Sequence, residues 1–128
     1  VKIVVETIPH SEQRYDTTGD WQYLEDGTLV VKVSRLRHER SEWLVAIHEI
    51  VEAFLCRQYG LADAAVTAFD EQFEKQPNPQ NIEPGDHPDA PYRDEHCFAT
   101  AVERMLCAAI SYPYSYYEAD VYAVSKHG

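Results

Sequence analysis

The sequence predicts an α+β domain: a small antiparallel N-terminal sheet packed on three α-helices. Three observations predict it. Residues 1–36 fall into short runs rich in β-branched residues. From residue 41 onward, apolar residues recur at helical spacing. At 128 residues and 45% hydrophobic, the chain is long enough for one core and too short for two.

The first strand is Lys2 to Ile8, which stops before Pro9. Trp21 to Leu24 and Thr28 to Ser34 flank Glu25-Asp26-Gly27 and form a hairpin, in which Asp26-Gly27 supplies the positive φ of a tight turn. Leu29, Val31 and Val33 share one face of the second hairpin strand. The first helix spans 41–59. Ser41 and Glu42 mark its start and Gly60 its stop. A second helix covers 63–75 and a third 92–110. Between them, 76–91 is a loop with five of the seven prolines. Residues 111–128 form a tail holding five of the nine tyrosines, laid on the core with its hydroxyls at the surface.

Composition excludes several function classes. Eleven basic against 22 acidic residues give a formal net charge of −11. A binder of nucleic-acid backbone needs a basic face, which this balance denies. No apolar run approaches the ~18 residues of a membrane span. Lys2 and Glu6 interrupt the N-terminal apolar run, so no signal peptide is expected. Cys56, Cys97 and Cys107 are odd in number and lack CxxC spacing. They predict buried core thiols in a reducing cytoplasm.

The chemistry concentrates on the first helix. It is apolar around most of its circumference, yet His48, Glu49 and Glu52 lie in its middle. Burying such groups is costly unless they pair or bind a metal. At i, i+4, His48 and Glu52 share one face a turn apart, where one cation fits between them. Glu49 projects beside them, placed to hold a water. On the third helix, His96 borders the core-facing stripe, and Glu103 lies two turns along the same line. Asp70 holds the matching position on the second helix. If the three helices pack around one core, His48, Glu52 and His96 become a two-histidine, one-carboxylate ligand set. Asp70 is then a substitute ligand or a supporting partner, and Glu103 an acceptor for the outer N–H of a histidine. His87, within Pro84-Gly85-Asp86-His87-Pro88, is a further ligand candidate from the loop. Tyr92 and Arg93, at the loop–helix junction, are candidates to stabilise an oxyanion. His10, His38 and His127 stand outside any ligand pattern. Residues 70–95 carry eight acids against Lys75 and Arg93, either a solvated surface or the rim of a cation-binding cleft.

His48-Glu49-Ile50-Val51-Glu52 resembles the HExxH helix of zincin-type metallopeptidases, with glutamate in place of the second histidine. The resemblance implies a zinc-dependent hydrolase acting on a peptide or amide bond. His48 and Glu52 would be ligands, a third ligand would come from a later element, and Glu49 would be the general base. A carboxylate in the second ligand position also admits Mg²⁺ or Mn²⁺. The chain as a whole resembles small phage and prophage proteins of uncharacterised function, a likeness that implies no activity.

Two other readings follow from the same residues. Glu49-x-x-Glu52 with Glu71-x-x-Glu74 resembles the paired acidic motifs of the all-α MazG-type nucleotide pyrophosphohydrolases, which implies Mg²⁺ chemistry. The strand-rich first third departs from that fold, and no basic residue near either motif is placed to grip phosphates. The last reading is a non-enzymatic acidic binding protein with a structural ion, its −11 charge suited to a basic surface.

Overall fold

A computed structural model describes residues 1–125. Strands β1 (Ile3–Ile8), β2 (Gly19–Tyr23) and β3 (Leu29–Ser34) form one sheet, followed by helices α1 (Glu39–Gln58), α2 (Asp63–Glu74), α3 (Arg93–Ala109) and α4 (Tyr114–Val124). The α+β class is as expected. The β2–β3 hairpin is antiparallel, and Gly27 adopts a φ of 90° in its turn, the left-handed conformation that favours glycine there.

The expectations for the sheet and for the tail need correcting. The sheet is not wholly antiparallel. Its order is β1-β3-β2, and β1 lies parallel to β3, with Ile3 opposite Leu29 and Ile8 opposite Ser34. Parallel pairing requires the chain to cross the end of the sheet before β2. Side chains fasten that crossing to β3. His10 Nδ1 lies 2.8 Å from Ser34 Oγ, and Gln13 Nε2 donates to the Lys32 carbonyl at 3.2 Å. The tyrosine-rich tail is not simply laid on the core with its hydroxyls at the surface: Tyr114–Val124 forms a fourth helix, Tyr112 and Tyr117 are buried, and the Tyr112 hydroxyl bonds inside. The helix escapes a periodicity reading because tyrosines occupy nearly every face. His127 lies outside the described residues.

One face of the sheet carries Trp21, Leu29, Val31 and Val33, all buried, and α1 packs on β2 and β3. The other flank of α1 meets α3, where Ala53, Cys56 and Ala99 are fully buried. Small residues at such a contact let backbones approach closely. α1 is therefore central, as its sequence predicts, although Trp43 and Phe54 are exposed. Cys56 and Cys107 are buried, but Cys97 is exposed, which corrects the expectation of three core thiols. No helix among the described residues is long and apolar enough to cross a membrane.

α4 docks on the start of α1 through one buried carboxylate. Asp120, 3% exposed, accepts hydrogen bonds from Ser41 Oγ at 2.7 Å and Tyr112 OH at 3.2 Å, and His38 Nδ1 pairs with it at 2.8 Å. The charge also faces the positive end of the α1 dipole. Burial acts to raise the Asp120 carboxyl, but the bonds from Ser41 and His38 hold it below the usual carboxylate range. Asp120→Ala removes the acceptor shared by Ser41 and Tyr112, whose hydroxyls keep only each other at 2.7 Å, and costs about 1–3 kcal/mol, read as a lower urea midpoint at unchanged m-value.

Candidate metal centre

Three ligand atoms converge between α1 and α3. His48 Nε2 lies 3.1 Å from Glu52 Oε2 and 3.2 Å from His96 Nδ1, and His96 Nδ1 lies 2.9 Å from the same Glu52 oxygen. All three residues are buried, at 7%, 4% and 5% exposure for His48, Glu52 and His96. A tetrahedral ion with bonds of about 2.0–2.1 Å separates neighbouring ligand atoms by about 3.3 Å. The triangle has nearly that size before any ion is placed in it. The donor set, two imidazoles and one carboxylate, is also that of catalytic zinc sites with an open fourth position.

The surroundings orient each ligand. Trp21 Nε1 donates to the other Glu52 oxygen at 2.9 Å. The outer nitrogen of His48, Nδ1, is in close ion-pair contact with Glu103 Oε1. The outer nitrogen of His96, Nε2, lies 3.1 Å from Glu83 Oε2 and 3.4 Å from Asp86 Oδ1. These oxygens sit off the ring N–H axes, so the contacts are ion pairs rather than aligned hydrogen bonds. A carboxylate beside each outer nitrogen electrostatically favours a proton there, which leaves the inner nitrogen for a metal.

Two glycines let the backbone close on the site. A Cβ at Gly19 of β2 would come within 2.6 Å of Glu49 Oε1 and 2.7 Å of Val45 Cγ1. The strand thus lies directly against the Glu49 carboxylate. A Cβ at Gly85 would come within 2.7 Å of His96 Cδ2, and closer still to Cγ and Nδ1. The loop turn Pro84–Asp86 therefore wraps the His96 ring, with Gly85 against it and Glu83 and Asp86 at its outer nitrogen.

Glu49 is 7% exposed and receives no hydrogen bond from the described residues, yet it lines the same cleft as His48, Glu52 and His96. Burial, reinforced by the Glu52 charge, holds its carboxyl well above the usual range. Glu52 behaves oppositely: burial alone would raise it, but contacts from His48 and His96 pull it down to about 2. Burial acts to lower His48 as well, but Glu103 and Glu52 outweigh it and keep the imidazole well above its ordinary value. Asp70 does not join the triangle. It accepts hydrogen bonds from Tyr15 OH at 2.9 Å and, at very short range, from Tyr92 OH, and burial raises it to about 7. Asp70 is thus a buried polar anchor in the wall of the cleft.

These shifts set a pH dependence for the metal-free protein. A carboxyl raised on folding is protonated longer in the native state, so stability falls as pH rises from ~4 toward the raised value. A raised histidine loses its contribution above ~6.5, and the lowered Glu52 changes nothing above ~4.5. The urea midpoint should therefore decline from about pH 5 to about pH 8, and Asp70→Asn should flatten the part below 7. Saturating zinc should weaken or reverse the decline, because metal ligands must give up their protons.

Other sequence candidates lie apart. His87 packs against Phe69 and Phe73, with ring centroids 5.9 Å away in each case, and takes a hydrogen bond from the Asp89 amide. The Tyr92 hydroxyl is committed to Asp70, and Arg93 is exposed and outside the cleft lining. Glu74 lines the cleft, whereas Glu71 is exposed and does not. His10 and His38, which stood outside the ligand pattern, serve as structural ties to Asp16 and Asp120. Sequence reasoning missed Gly19, Gly85, Trp21 and the approach of Glu83 and Asp86 to His96. Only the acid density of the loop signalled the last of these.

No family model, curated protein or solved structure matches this chain.

Proposed function

We propose that the protein is a metal-dependent hydrolase, with zinc the best-suited ion, that cleaves a peptide or amide-like bond. The observation that carries this reading is the 2.9–3.2 Å triangle of His48 Nε2, Glu52 Oε2 and His96 Nδ1, with the buried Glu49 beside it. His48, Glu52 and His96 would hold the ion. When bound, it supplies Lewis acidity, polarising a carbonyl and acidifying a nearby water.

The remaining work falls to side chains of this chain. Glu49 has no competing donor among the described residues, and burial keeps its proton affinity high. It is suited to take a proton from the attacking water and return it to the departing nitrogen. Trp21 holds Glu52 in place, and Glu103, Glu83 and Asp86 hold the two imidazoles. Gly19 keeps Glu49 pressed toward the cleft. The test is hydrolysis of an amide-bond substrate library by zinc-loaded protein, lost on chelation and restored by zinc. No turnover by protein shown to contain zinc would overturn the catalytic reading.

A further inference from the structure

From the walls of the cleft, we infer that the substrate is an organic cation: a peptide or amide carrying guanidinium or ammonium side chains. This rests on the hydrolase reading above and names the substrate class for that site.

The cleft has a volume of about 460 Å³, and nine carboxylate side chains line it against Arg104 and the two proposed ligand imidazoles, His48 and His96. Glu49, Glu52, Asp70 and Glu103 are buried, Asp16 and Glu74 are half-buried, and Glu83, Asp86 and Glu118 are exposed at the rim. Counted at their formal charges, the nine acids, Arg104 and a divalent ion held by neutral histidines leave six net negative charges. A cleft of one sign, walled by protein, concentrates ligands of the opposite sign and repels phosphates and acidic peptides.

Charge alone does not define a ligand, but two further features do. Glu49 is a nine-tenths-buried carboxylate with no hydrogen-bond donor among the described residues, and it faces this space. Elsewhere the lining is aromatic, with Tyr114 and Tyr117 at a 5.6 Å centroid separation and the Tyr114 hydroxyl 3.4 Å from Glu103 Oε2. That wall already holds a guanidinium: Arg104 Cζ sits 4.0 Å above the Tyr114 ring. The chain thus shows in itself the contact a substrate arginine would make, a planar cation over a tyrosine face beside carboxylates.

The test is calorimetric titration of the zinc-loaded protein with Glu49 in place, each probe being recovered and shown intact by mass spectrometry so that binding is read without turnover. Two probes are compared, Ac-Arg-Gly-Arg-NH₂ and Ac-Glu-Gly-Glu-NH₂. The arginine peptide should bind at least about tenfold tighter, and raising NaCl from about 50 to about 300 mM should weaken it severalfold. Adding Glu74→Gln and Glu118→Gln in the cleft should weaken it at least about fivefold. Adding Glu6→Gln and Glu25→Gln, which remove the same charge outside the cleft, should not. Equal binding of the two peptides, or equal effects of the two charge pairs, would overturn the inference. Zinc content is measured on the same samples, and the titration is repeated on metal-free protein. Failure to hold zinc would count against the hydrolase reading, whereas loss of charge preference in zinc-containing protein would count against this inference alone.

Discussion

Glu49→Gln should keep its metal and its fold and lose about 10²–10⁴-fold in kcat. The substitution preserves shape and removes only the capacity to accept a proton. Glu49 is outside the ligand triangle, so zinc content should not change. It is buried against Gly19, with Oε1 2.6 Å from where a Cβ would stand, so a longer or bulkier replacement would disturb β2. Its charge is unfavourable where it sits, since burial and Glu52 both oppose ionisation. The glutamine variant should therefore unfold at the same or a higher urea concentration than the parent. A stable, zinc-containing and inactive protein is the expected result. Wild-type kcat in this variant would remove Glu49 from the chemistry.

Gly85→Ala should weaken zinc binding about 10–100-fold, the cost typical of disturbing the groups that orient a ligand. The added methyl would occupy the space of the His96 ring, so either the ring or the loop must move. Either movement separates His96 Nε2 from Glu83 and Asp86 and turns Nδ1 away from the triangle. Gly27→Ala is the control. It strains a left-handed turn at φ 90° but meets nothing within 4 Å, so it should lower stability without changing zinc affinity. Competition with a chromophoric chelator distinguishes the two. Equal zinc affinities for Gly85→Ala and the parent would show that the loop does not position His96.

The parts of the protein legible in its sequence are those encoded locally. The i, i+4 spacing placed His48 and Glu52 on one face of α1, and they are 3.1 Å apart. The margin position of His96 on its helical stripe predicted a partner across the core, and the two imidazoles do meet. Asp26-Gly27 marked the hairpin, and the turn is there. What escaped depends on contacts distant in sequence. The parallel pairing of β1 is decided by the crossing between residues 9 and 18, whose anchors His10 and Gln13 carry no local strand signal. Tyr114–Val124 is tied down by Asp120 meeting Ser41 and His38 at the start of α1, far away in sequence. Asp70, equally at a stripe margin, was taken by two tyrosines rather than the ion triangle, because Tyr15 arrives from the loop before β2. The role of Gly85 is a matter of space, visible only once the loop is folded over His96.

The most direct test of the central claim is the metal content of the purified protein, measured by elemental analysis after dialysis against trace zinc, with His48→Ala and His96→Ala treated identically. The parent should retain about one equivalent of zinc and each alanine variant essentially none, since a three-ligand site does not survive the loss of an imidazole. A parent protein that holds no transition metal, or alanine variants that hold as much as the parent, would contradict the account.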